Sequence, residues 1–420
     1  MPLSAAEEKV LESLAQSREE LMELVSAAVR IPSVTGQEPA FADFVLGWLR
    51  DAGLDARFEP VGEAFRREIG GFEAEHDLDE RGNVYTSLPS AAPGSSPPLV
   101  MSTHLDVVPT GERSAWTDDP FSGLRRDGRI FGRGTADMKG NLCAALFALR
   151  ALKDAGVTPG VDVQLHAVCA EESGGLGTLK ALATEPPPVA AIVLEPTESA
   201  VSPACAGCIH FTTTVAGRAA HAAVPWRGVS ALDNLVHVYR ALQDLADTRQ
   251  KARHHPLFEE YPDAAPLSVG VATVGEWRST VPDRAQMIAR LGVMPDETID
   301  EVRAQILEAV AAAAKDDEWL AAHPPVVTWD NAGFPGWETD RSAGVVRAVA
   351  DAAGDVGGSA RVGGVTYGSD AGHFATRGIP TVQFGAGSIG DAHSPNEFVE
   401  EAAVLAAAQT VALAVARFRA

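Results

Sequence analysis

Cysteine is scarce, basic residues are outnumbered, and no apolar run is long enough to cross a bilayer. The four cysteines are Cys143, Cys169, Cys205 and Cys208. Cys205 and Cys208 form a Cys-x-x-Cys pair, but a zinc knuckle needs a second pair or histidines at fixed spacing, and only His210 is near. They read instead as small packing residues in a reducing compartment. Lysine and arginine total 34 against 57 acidic residues, a net charge of -23. That excess argues against nucleic-acid and anionic-membrane partners, and an acidic cleft would concentrate cations. The most apolar stretch, 402–416, carries Gln409 and Thr410 and suits a packed final helix rather than a membrane span. The start is acidic and lacks the apolar core of a signal peptide, so the cytoplasm is the expected compartment. No internal repeat is visible.

What the chain has is enough apolar character to fold. Its 420 residues are 46% hydrophobic, which fits about two or three domains with sizeable cores. Strand-like and helix-like segments alternate after Pro98. Leu99–Thr103, Val161–Ala170 and Ala190–Leu194 read as strands, and Gly140–Ala155 as a helix. This rhythm predicts an α/β domain, a mainly parallel sheet covered by helices. Near Ala204 the pattern changes. Strands at 211–215, 267–274 and 285–293, with helices at 230–245 and 299–313, predict an inserted antiparallel α+β domain. The expected boundaries are 1–205 and 327–420 for the α/β domain and 206–326 for the insert. Ser17 with Glu20 is expected to open a helix as a capping box, and 60–81 to be loop or edge structure.

Five segments carry residues of the metal-binding type. His104-Leu105-Asp106 pairs an imidazole with a carboxylate able to accept its second N–H. Asp137 lies between glycines in Gly132-Arg133-Gly134-Thr135-Ala136-Asp137-Met138-Lys139-Gly140, and its two oxygens could bridge two cations. Glu171-Glu172 close a strand, where alternation would send one carboxylate to a metal and the other to a substrate. Glu195 ends another strand. His393 precedes Ser394-Pro395-Asn396-Glu397, which reads as a helix start. Each segment alone also fits a turn, a solvated acid or a cap. Together they supply enough ligands for two zinc ions, with one carboxylate left as a base.

In these segments the chain resembles the co-catalytic zinc metallopeptidase family of acetylornithine deacetylase, succinyl-diaminopimelate desuccinylase, carboxypeptidase G and aminoacylase. The resemblance covers nearly the whole chain. It implies a zinc peptidase catalytic domain binding two zinc ions, which cobalt or manganese can replace. Asp137 would bridge the ions, His104 and Glu195 would hold one, and Glu172 and His393 the other. It further implies Glu171 as general base, Asp106 as the residue orienting His104, and a cis peptide after Asp137. The insert would be a lid and dimerisation domain. Within Gly217-Arg218-Ala219-Ala220-His221, His221 would stabilise an oxyanion, often in the partner subunit's site of a homodimer.

The substrate-binding positions depart from the family. Thr280 stands where many relatives have Asn before Val-Pro-Asp, and Gly292 where they have Arg. Arg290 lies two residues earlier and could project from the same face. His373 follows Ser369-Asp370-Ala371-Gly372 where relatives often have Thr-Asp-Ala-Arg. It could contact substrate or be a packed loop histidine. Gly385 and Gly387 could offer N–H groups to an anion. The expected activity is removal of an acyl group from an N-acyl amino acid. A dipeptidase or carboxypeptidase acting on short peptides is the alternative, and a non-catalytic binding protein on the same fold is a rival of another class.

Overall fold

The computed structural model describes residues 3–70, 78, 80–330, 333–357 and 361–420. It divides into two compact units. One comprises Met1–Ala204, Glu338–Gly363 and Ser369–Ala420, the other Cys205–Trp337 and Gly364–Gly368.

The larger unit is built on a mixed sheet. In spatial order its strands include Ala56–Pro60, Gly82–Leu88, Val163–Val168, Leu99–His104, Ala190–Val193, Thr381–Gln383 and Val201–Cys205. The four central strands, from Val163–Val168 to Thr381–Gln383, run parallel, and their neighbours on both sides pair antiparallel. Leu99–His104 and Ala190–Val193 are buried throughout, as strands covered on both faces must be. The Ala- and Leu-rich helix Gly140–Ala155 packs against the final helix, Glu401–Arg417, and nearly all of its residues are buried. Small alanine side chains allow that close approach. The sheet's carboxyl ends deliver His104, the turn after Val168, and Glu195 to one edge, where ligands gather in open α/β sheets.

Two local expectations at the N-terminal side need correction. The closed capping box is at Ser4 and Glu7, ahead of helix Ala5–Gln16. Ser17 makes no side-chain cap bond, because its N–H still bonds back into the preceding helix and its ψ of 10° is not the extended backbone of a cap. Within the segment expected as loop or edge, Glu63–Ile69 is a short helix; residues 71–77 and 79 lie outside the described residues.

The smaller unit holds an antiparallel sheet ordered Leu267–Val274, Arg284–Val293, Gly207–Ala216, Val326–Trp329. Burial alternates along the two central strands, so one sheet face is apolar. That face packs with helices Ala231–Ala252 and Ile299–Lys315 into a separate core. Both helices begin with side-chain caps, from Ser230 and Thr298. Among the described residues, no helix is long and apolar enough to cross a membrane.

Candidate metal and acid-base site

His104 is the last residue of its strand, and its ring is buried. Nδ1 lies 2.8 Å from the Asp106 carbonyl oxygen, and a carbonyl only accepts, so Nδ1 carries the proton. Nε2 faces Asp137 Oδ1 at 2.9 Å. The expected bond from His104 to the Asp106 carboxylate is therefore not made, and Oδ1 stands 3.9 Å from Nδ1. That carboxylate is occupied elsewhere. It accepts the N–H of Glu171 at 3.1 Å, the N–H of Glu172 at 3.2 Å and the Thr35 hydroxyl at 2.9 Å.

Asp137 sits in a wide turn over Thr135–Lys139, entered through Gly134 at φ 84°, and the Asp137–Met138 peptide is cis. Glu397 secures this turn. Its Oε1 accepts the N–H groups of Ala136 at 2.9 Å and Asp137 at 3.2 Å, and its Oε2 pairs with buried Arg133. That commitment explains why the helix expected at Ser394 does not form. Ser394 instead donates to the Asp391 carbonyl, Glu397 turns inward, and the helix begins at Glu401. His393, at φ 59°, reaches the second Asp137 oxygen at 3.4 Å and Glu172 at 3.2 Å.

Glu171 and Glu172 diverge for a different reason from strand alternation. The strand stops at Val168, Ala170 takes φ 58°, and Glu171–Gly175 form a tight turn closed by Gly174 N–H on the Glu171 carbonyl. Glu172 joins His104 and Asp137, one ligand atom from each lying within 4.8 Å of the others. Glu171 stays outside that cluster and accepts the Asp370 N–H on Oε1 at 3.2 Å. Asp370 is itself locked by the Thr178 hydroxyl at 2.6 Å.

The electrostatics describe a site short of positive charge. Burial, then Asp370, holds the Glu171 carboxyl well above the usual range. Burial, then the Asp137 charge, does the same to Glu195 and raises Glu172. Burial opposes ionisation of Asp137 too, but bonds from His104 and His393 win and lower it. Burial likewise opposes the two imidazolium ions, yet Asp137, helped by Glu171 and Glu195, keeps His104 well above the ordinary imidazole range. Asp137 and Glu172 carry His393 up to about 11. The donor set fits divalent cations. Imidazole and carboxylate are ligands for zinc, cobalt and manganese, and the two Asp137 oxygens face different histidines, as a bridging carboxylate requires.

The remaining expected residues are distributed as follows. His373 is buried with Nε2 3.1 Å from the Gly174 carbonyl, and burial lowers it to about 4, which favours the packed loop histidine over a substrate contact. The Gly385 N–H is not free for an anion, because it donates to Thr197 Oγ1 at 3.1 Å. Gly387 has φ 90° and approaches the Asp137 turn so closely that a Cβ would lie 2.9 Å from that of Ala136. Three residues belong to the smaller unit. His221 pairs with Thr280 in a two-stranded ribbon, is exposed, and accepts the Ala223 N–H on Nδ1. Arg290 donates to the Thr366 carbonyl at 2.8 Å. All four cysteines are buried, and none is in a disulfide.

Sequence reasoning missed Thr35, Arg133, Asp370 and the true role of Glu397. Arg133 and Asp370 lie inside the motifs already singled out. Thr35 carries no signal in one sequence.

Residues 100–417 match the model of the family described as peptidase family M20/M25/M40. The chain is similar to an acetylornithine deacetylase of Edwardsiella ictaluri (strain 93-146), with 26% identity over 90% of this chain and 92% of that one. It is 27% identical to an N-formyl-4-amino-5-aminomethyl-2-methylpyrimidine deformylase of Bacillus subtilis (strain 168), over 72% of this chain and 74% of that one. Among solved structures, the di-peptidase Dug1p from Saccharomyces cerevisiae aligns with a TM-score of 0.76 at 15% identity, over 99% of this chain and 98% of that one. Human carnosine dipeptidase 1 aligns at 0.71 and 16%, over 97% and 99%. At such identities these two structures speak for the fold alone.

Proposed function

Since the chain belongs to peptidase family M20/M25/M40, we propose that it is a metal-dependent amidohydrolase that removes the acyl group from an N-acyl amino acid. One observation carries this reading: a buried carboxylate, Glu171, stands beside the His104, Asp137, Glu172 and His393 cluster without belonging to it. His104, Asp137 and Glu195 would hold one zinc ion, and Asp137, Glu172 and His393 the other, with cobalt or manganese able to replace zinc. Cations held there supply Lewis acidity to a carbonyl and acidify water.

The chain's own groups do the rest. Glu171 Oε1 is engaged by the Asp370 N–H, which leaves Oε2 to take a proton from water and give it to the departing nitrogen. A carboxyl held above its usual range by burial is suited to both transfers. His221 is assigned to the developing oxyanion. Because its Nδ1 accepts a backbone N–H, the neutral ring carries its proton on Nε2, where it can be donated.

Acyl removal is favoured over peptide cleavage because two relatives similar in sequence are named a deacetylase and a deformylase. A panel of N-acetyl amino acids and dipeptides, assayed with added zinc or cobalt, tests the choice. The expected result is a kcat/KM at least about tenfold higher for the acyl amino acids, a difference of about 1.4 kcal/mol in transition-state binding. The opposite order would support a dipeptidase. Metal-free protein that cleaves neither class would support a non-catalytic binding protein.

The same reading includes a homodimer formed through the smaller unit. Leu267–Val274 is an edge strand with no charged residue and no proline, and Val271 is 50% exposed. Such an edge invites pairing with another chain. Sedimentation equilibrium is expected to give twice the 44.0 kDa of one chain, and Val271→Glu to give the single-chain mass. A wild-type protein that sediments as one chain would remove the dimer from this account.

A further inference from the structure

We propose that Thr35 is a positioning residue for the Glu171–Glu172 pair, acting through Asp106. This rests on the amidohydrolase reading for its catalytic consequence, but the structural link is independent of it.

Asp106 is fully buried, and its carboxylate accepts three neutral donors among the described residues: the Glu171 N–H on Oδ1, and the Glu172 N–H and Thr35 hydroxyl on Oδ2. The two backbone donors belong to the turn that aims the base and one candidate ligand. Asp106 therefore fixes two adjacent functional side chains through their main chain. At 2.9 Å the Thr35 bond is the shortest of the three, and it shares Oδ2 with the Glu172 N–H. A buried anion that loses one of three donors is under-solvated and shifts toward whatever donors remain.

Thr35 is placed by a loop built for rigidity. Its N–H donates to the Val107 carbonyl at 3.0 Å, and the Val107 N–H returns a bond to Ser33 at 2.9 Å. The Ser33 hydroxyl holds the Leu105 carbonyl at 2.8 Å. Behind the loop, Glu38 accepts the Gly36 N–H at 3.0 Å and pairs through both oxygens with Arg81, and both side chains are buried. A buried, bidentate ion pair is a strong way to fix one surface turn. Thr35 as a residue is only half-buried, so it can be altered with little disturbance to packing. Among the described residues, Thr35 donates to Asp106 and to the Val107 carbonyl, neither of them a proposed ligand, so it acts through Asp106.

The test compares wild type with Thr35→Val, Thr35→Ala and Thr35→Ser, all loaded with zinc. Valine keeps the shape and removes the bond; alanine removes the bond without adding an apolar branch; serine keeps the hydroxyl. In Val and Ala, kcat is expected to fall about tenfold or more with KM within about twofold, because small misplacements of reacting groups are costly. Metal content is expected to match wild type. Hydrogen–deuterium exchange of the peptide spanning Glu171 and Glu172 is expected to speed up about tenfold, since the Asp106 acceptor is loosened. Serine should restore both readouts. Wild-type exchange and kcat in the valine and alanine variants would overturn the proposal. So would a loss that merely tracks lost metal or lost folded protein, or a failure of serine to restore it. If wild type cleaves nothing in the substrate panel, the amidohydrolase reading falls, while the exchange measurement still decides the Thr35 link.

Discussion

Glu171→Gln is expected to keep its metal and lose turnover by about 10²–10⁴-fold, the usual worth of a positioned general acid-base group. The substitution is close to isosteric. The glutamine carbonyl can still accept the Asp370 N–H that Glu171 accepts at 3.2 Å, so the turn and its neighbours stay in place. What disappears is the ability to receive a proton on the second oxygen. Glu171 is proposed as the base and not as a ligand, so cation binding should not need it. The neutral amide even removes one of several carboxylates crowded into a buried space, where burial and Asp370 already oppose the Glu171 charge. Steady-state kinetics on the best substrate of the panel, together with metal analysis of the same sample, checks both halves. Near-normal kcat would remove Glu171 from the role of base, and lost metal would make it a ligand.

Asp137→Ala is expected to abolish both metal binding and activity, with kcat/KM down by at least about 10³-fold. The estimate follows from Lewis-acid stabilisation worth several kcal/mol, at 1.36 kcal/mol per factor of ten. Asp137 reaches toward both histidines with its two oxygens, at 2.9 Å for His104 and 3.4 Å for His393. Removing it takes a ligand from both proposed cations at once, whereas loss of His393 would take a ligand from one. Elemental analysis after dialysis against dilute zinc is expected to find well under one ion per Asp137→Ala chain. Retention of two ions would show that the carboxylate does not bridge.

The sequence was most legible where periodicity and burial agree. Helix Gly140–Ala155 and strand Leu267–Val274 have the ends that were expected, and Leu99–His104 and Arg284–Val293 differ by one residue. In each, an apolar pattern and tertiary packing demand the same conformation. The ligand types were legible as well, because His104, Asp137 and the acidic pair stand beside glycines and strand ends. What failed was local chemistry whose outcome depends on distant partners. Ser394-Pro395-Asn396-Glu397 has every feature of a helix start, but Glu397 is drawn to Arg133 and two backbone N–H groups 260 or more positions away along the chain. Asp106 does hold His104, its neighbour by two, but through its carbonyl at 2.8 Å and not through the carboxylate that was expected to do so. Its carboxylate is instead occupied by Thr35, Glu171 and Glu172. Ser17 has the residue types of a cap, yet the preceding helix runs into it and denies it a cap's backbone. Short-range rules can name a candidate bond, but competition among donors from the whole chain decides which bond forms.

His104, Asp137, Glu172, Glu195 and His393 are proposed to hold a pair of cations. Crystals grown from zinc-loaded protein, measured on both sides of the zinc absorption edge, test this most directly. Two anomalous peaks flanking the Asp137 carboxylate, one on the His104 side and one on the His393 side, are the expected result. A map with no peak between those histidines, or with zinc held only by other residues, would contradict it.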